Sequence, residues 1–339
     1  TGGSVTLTSG SSTTGASGKI SIQTANGVAS GSVLLQTGLG QAAESGNMYI
    51  QAGKSIGEGG SVTVSSGASQ SANGGDLRVE GGSSQTDNGG SLNFMSGSSE
   101  TSKSGDSTIV SGSGATSGGI QVSTGVGQVD SGTITLSTGT AASNGGSIIL
   151  KVGETNDGTG GNIDISAGTS VGSVGGNVDI TSGASQAADG RSGQVLLHSS
   201  ASTSTSQTGS VTLSSGDASQ AASGEIKLKG GSSTSSGSNI DISAGSSSNE
   251  IGGSVIMQAG DGQSIGGGVA LISGSSQTGS SGDVSIVSGS SSTSSGSLHL
   301  TTGLASAASS GSIKLKSGSA NVENAGSVVI EAGTTSDSL

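Results

Sequence analysis

The chain has no cysteine and no proline, and its 339 residues include one tyrosine, one phenylalanine and no tryptophan. Without cysteine there is neither a disulfide framework nor a thiolate metal site, and the redox compartment stays open. Each proline would delete a donor from a backbone ladder, so its exclusion fits dense pairing of extended segments. With Tyr49 and Phe94 the only rings and hydrophobic residues at 28%, a thick core of the ordinary kind is out of reach. Positive charge is scarce too, with 10 Lys and Arg against 22 Asp and Glu and a net charge of −12. That balance favours solubility and disfavours a nucleic-acid partner, which needs a basic stripe. No apolar run approaches the roughly 18 residues of a membrane span. None of the 13 asparagines begins an Asn-x-Ser/Thr sequon, although Ser and Thr abound.

What is present is a short motif, Gly-x-φ-x-φ-x-small-Gly with φ aliphatic, as in Gly60-Ser61-Val62-Thr63-Val64-Ser65-Ser66-Gly67. Twenty-three copies start at 3, 18, 31, 46, 60, 75, 90, 105, 118, 132, 146, 161, 176, 193, 209, 224, 238, 253, 267, 282, 296, 311 and 326. They span 323 residues in 22 intervals, about 14.7 residues per repeat. An unbroken repeat this short points to one small unit used many times, without a boundary between globular domains. Residues 1–339 read as one continuous array, a segment of a longer protein. Position 3 is aliphatic in 22 of 23 copies, Ser107 being the exception, and position 5 is apolar in all 23. Disordered low-complexity tracts do not hold two apolar columns in register in this way.

Apolar residues at positions 3 and 5 with a small one at 7 have the period of a strand with one buried face. The glycine at position 8, present in 21 of 23 copies, is expected to need positive φ or a close backbone approach. The fold expected is all-β: a single long β-solenoid (β-helix) of about 23 short coils, roughly 15 residues each, with parallel strands stacked about 4.8 Å apart. The columns would supply its core, represented by Val5, Leu7, Ile20, Ile22, Val62, Val64, Ile163, Ile165, Val211, Leu213, Ile313 and Leu315. In the return segments Gln recurs three residues after the last glycine, at 41, 70, 85, 128, 186, 263 and 277, where amide ladders or solvated corners both fit.

Chemistry does not converge in the sequence. Serine needs a positioned base to act as a nucleophile, and the two histidines, His198 and His299, lie seven repeats apart. No catalytic residue and no cofactor site is expected. Asp164 and Asp179 share a frame on consecutive copies and are weak candidates for calcium, although the calcium-binding Gly-Gly-x-Gly-x-Asp nonapeptide is absent. Gly53-Lys54-Ser55 looks like the end of a phosphate loop, but Met48 stands where that loop needs glycine. A regular outward threonine array would bind ice; here Thr6, Thr63, Thr108, Thr135 and Thr212 alternate with Arg78, Asp164, Lys227, Asp241 and Lys314. Outward apolar residues, among them Leu34, Tyr49, Met95, Ile149, Leu196, Ile256 and Val329, mark contacts with neighbouring rods or other fibre subunits.

Through runs such as Gly2-Gly3-Ser4-Val5-Thr6-Leu7-Thr8-Ser9-Gly10, the chain resembles Ser/Gly-rich short-coil β-solenoid repeat proteins of extracellular fibres and cell-surface appendages. The similarity is to algal and protist proteins, and more loosely to filamentous adhesins of bacteria, whose coils are longer. It covers the whole chain and is compositional. It implies a location outside the cell and a structural role, as the rigid shaft of a filament, appendage or surface layer. The alternatives are an adhesin or binding stalk that presents other domains, and an ice-binding protein.

Overall fold

A computed structural model describes residues 2–41, 44–202 and 205–334. Among them there is no helix and no strand. The β-solenoid, and with it the β-helix core and the 4.8 Å stacking, is therefore not the architecture of this chain. The physical reason lies in the backbone pairing. Twelve backbone–backbone hydrogen bonds are made among the described residues, where a folded chain has about one hydrogen bond per residue. Period-two patterning specifies which side chains share a side, but a ladder also needs a partner, and the neighbouring copy does not supply one. The accessible surface is 34058 Å² for 31.4 kDa, against about 12,000 Å² for a globular protein of that mass.

The repeat is nonetheless written into the conformation. Every one of the 22 segments between successive copies contains one bend, from residues 13–15 to residues 321–323. The chain divides into two units, Thr1–Ile163 and Asp164–Leu339, and the same joint recurs inside each. In the first unit the leading N–H of Gly18, Gly60, Gly75, Gly90 and Gly105 donates to the carbonyl of Gly10, Gly53, Gly67, Gly82 and Gly97, at 2.7–3.1 Å. In the second, the leading residues 176, 193, 238, 253, 267 and 282 donate in the same way to Gly168, Gly183, Gly231, Gly245, Gly260 and Gly274, at 2.8–3.3 Å. One hydrogen bond thus ties the foot of each of these return segments.

Serine chemistry shapes the bend above that tie. In eleven joints the residue two places after the position-8 glycine is a serine whose hydroxyl accepts backbone N–H groups two or three residues on. Ser69 Oγ receives the Ala72 N–H at 3.0 Å, Ser170 Oγ that of Ser173 at 2.9 Å and Ser247 Oγ that of Glu250 at 2.9 Å. The others are Ser12, Ser55, Ser84, Ser99, Ser185, Ser233, Ser276 and Ser291. A hydroxyl that mimics a turn carbonyl in this way fixes a bend without a β-turn hydrogen bond. Gly53-Lys54-Ser55 is one of these capped joints, which explains the sequence that looked like a phosphate loop.

The two glycine columns have different physical roles. A Cβ on the leading glycine would press on the preceding copy. It would lie 3.2 Å from Ser9 Cβ at Gly18, 3.1 Å from Ala52 Cβ at Gly60 and 3.3 Å from Ala167 Cβ at Gly176. Position 7 is correspondingly the best-covered place in the motif: eleven of the twelve half-covered residues, Ser9 and Ala167 among them, stand there. Ser238 is the one leading residue that is not glycine, and the position 7 it meets is Gly230. A Cβ on Gly230 would come 2.7 Å from Ser238 Oγ and 3.0 Å from its carbonyl oxygen. A side chain on one partner is matched by its absence on the other.

Candidate functional site

No pocket with converging catalytic groups is the place to start; the repeated surface of the eight-residue motif is. Its even positions share a side. Arg78 pairs with Glu80, Lys227 with Glu225 at 2.7 Å, and Asn47 Nδ2 donates to the Tyr49 hydroxyl at 3.2 Å. Each pair is two residues apart, the spacing that brings side chains together on an extended backbone. Lys103 and Asp106, 2.9 Å apart, form a further pair between a return segment and the next copy. All are exposed and contribute little to stability.

The odd positions form a second side of different composition. Of the 32 charged residues in the chain, none falls at position 1, 3, 5, 7 or 8 of any copy. All stand at even positions 2, 4 and 6, in the return segments or in the C-terminal residues. The side carrying both aliphatic columns is thus free of charge from the first copy to the last. Column residues are exposed on it. Position 3 lies between 47% exposed at Ile20 and 60% at Val269 wherever a copy precedes it, against 100% at Val5, which has none ahead of it in the sequence. Each copy therefore shades the first column of its successor and no more. Val5, Leu7, Ile20, Ile22, Val62, Val64, Ile163, Ile165, Val211, Leu213, Ile313 and Leu315 are all exposed, and no buried hydrophobic core exists among the described residues.

The glycine at position 8 closes each motif after the last odd position. Of the two expected reasons for it, a close backbone approach is met at eleven of these glycines, whose carbonyls accept the next copy's leading N–H at 2.7–3.3 Å, whereas positive φ is met at none. The one positive-φ glycine is Gly158, in a return segment. A Cβ added at 20 of the 21 position-8 glycines would meet nothing within 4 Å, and at Gly231 it would meet only the Ser238 hydroxyl at 3.8 Å.

One irregularity stands out along the columns. Phe94, the only ring in them, and Ser107, the only polar residue in them, line the same open hollow of about 610 Å³ with Met95, Ser96, Asp106, Thr108 and Ile109. The hollow holds a single carboxylate, that of Asp106, already paired with Lys103.

His198 Nδ1 lies 3.2 Å from the Ser199 carbonyl, and His299 stands at an even position of a distant copy. Asp164 and Asp179 belong to successive copies, and no group of three or more His, Asp or Glu able to hold a metal occurs among the described residues. The seven glutamines lie in or beside the bends; the residue that matters there is the serine before four of them, at 69, 84, 185 and 276. The outward apolar residues are exposed, as are those of the columns. No helix among the described residues is long and apolar enough to cross a membrane. Sequence reasoning missed the Gly-x-Ser cap and the charge-free side, and both signals were present, at fixed offsets from the glycines. Comparison with protein-family models, curated proteins and solved structures finds no match.

Proposed function

We propose that the protein is structural: a repeat array forming the shaft of an extracellular filament, appendage or surface layer. The observation that carries this reading is the bend found in every one of the 22 intervals between copies. A binding or catalytic protein needs one place that differs from the rest, with groups aimed at a common point. This chain instead spends its sequence on making each unit like the last, with coupling only to the adjacent copy. Length and a repeated surface are what such an arrangement supplies. The net charge of −12, carried away from the columns, keeps the single chain soluble before it is incorporated.

The test is localisation of the native protein. Antibodies raised against the repeat, used with immunogold electron microscopy on the source cells, should decorate an extracellular fibre or coat. Labelling confined to the cell interior would overturn the reading.

A further inference from the structure

We infer that the charge-free side of the motif is the contact surface between copies of this chain, and that its occupant is a second copy docked repeat against repeat. The inference deepens the structural reading and rests on it for the existence of an assembly; which side makes the contact is a separate matter, argued from the residues.

Three observations converge. The first is area. The two columns display 22 apolar residues within Thr1–Ile163 and 23 within Asp164–Leu339, every one of them exposed, and a stable protein interface uses about 20–30 residues a side. The second is charge. Exclusion of all 32 charges from the odd positions 1, 3, 5 and 7 is the depletion found at the dry centre of an interface. It lets two copies meet without burying a charge despite the −12 each carries. The third is the second column, which stays between 56% exposed at Val79 and 85% at Ile330, uncovered by any neighbouring copy.

The repeat length selects the occupant. A surface presented about every 14.7 residues is matched in spacing by a partner with the same period, and a second copy of this chain has it. A unique globular partner would engage a few repeats and leave no reason for all 23 to keep the same columns. The contact thus moves from the scattered outward residues, such as Leu34 and Tyr49, to the columns themselves. Head-to-head use of one face gives dimers, and staggered use lets each chain bridge two others, so that the array lengthens into a filament.

The experiment compares the full chain with two triple variants in the same copies. Val64→Asp, Phe94→Asp and Ile109→Asp together place carboxylates in the second column. Thr63→Val, Asn93→Val and Thr108→Val together alter the even side. Sedimentation equilibrium measures association, and amide spectra of the dilute proteins confirm that the single chain is unchanged. The column triple is expected to weaken association at least about tenfold, and the even-side triple to change it less than about threefold. Equal effects of the two triples would overturn the assigned side and leave the structural reading standing. A wild-type chain that stays monomeric to its solubility limit would overturn both.

Discussion

Replacing Gly60 by alanine tests the joint. The Gly60 N–H donates to the Gly53 carbonyl at 3.1 Å. A Cβ at Gly60 would sit 3.1 Å from Ala52 Cβ, 3.5 Å from Gly53 N and 3.6 Å from Gly53 O. Ala52 has no rotatable side chain with which to retreat, so the backbone on one side of the joint must shift and the hydrogen bond lengthens or opens. A hydrogen bond of this kind contributes about 1 kcal/mol net, which corresponds to about a fivefold change in the closed population. Hydrogen exchange followed by NMR on dilute Gly60→Ala should therefore show protection of the residue-60 amide reduced about fivefold. Gly67→Ala is the matched control. Its Cβ meets nothing within 4 Å, and the reduced freedom of the unfolded chain favours the substitution by about 0.4–1 kcal/mol. Protection of the Gly75 amide, which donates to the Gly67 carbonyl at 2.9 Å, should not fall in that variant. Equal loss in the two variants would refute the assignment of different roles to the two glycine columns.

Other consequences are local or collective in ways that can be separated. Ser69→Ala removes the hydroxyl that accepts the Ala72 N–H at 3.0 Å and should cost that bend about 0.5–1.5 kcal/mol, read as faster exchange at Ala72 and no change two copies away. Gly230→Ala should open the joint at Ser238, and adding Ser238→Gly should restore it; a double-mutant cycle with no coupling would contradict the size match between the two positions. Rising ionic strength should leave the joints unchanged, since the Lys103–Asp106 and Lys227–Glu225 pairs are exposed, while tightening association between chains that each carry −12. Sedimentation at low and high salt checks the second half, and weakening with salt would contradict it.

The parts of the structure legible in the sequence are those governed by local chemistry. The register of the 23 copies and the placement of turns between them follow from Gly, Ser and Asn preferences over a few residues. The bends at 13–15, 70–72 and 277–279 fall where those preferences put them. Which side chains share a side was legible as well, since alternation at Val62 and Val64 against Ser61 and Thr63 follows from backbone geometry alone. Pairing was not. A solenoid and an array of tied but unpaired segments need the same alternation, and the choice between them depends on whether the next copy returns to hydrogen-bond the whole segment or only its foot. Within the joint, attention to Gln70 and Gln85 passed over Ser69 and Ser84, the residues that cap the bends. At position 8 the close backbone approach was legible, since Gly10, Gly53 and Gly67 each accept the next leading N–H, while the positive φ expected as its alternative does not occur there.

The three methionines offer the most direct measurement of the central idea that the columns are open in one chain and covered by another. Met48 stands in the first column and Met257 in the second, while Met95 is at an even position; they are 51%, 66% and 92% exposed. Oxidation by hydrogen peroxide, followed by mass spectrometry, reports thioether access at each. In dilute protein all three should oxidise readily, and in concentrated, associated protein Met48 and Met257 should become protected while Met95 stays reactive. Protection of Met48 and Met257 already in the dilute single chain, or equal reactivity of all three in the associated state, would contradict the account.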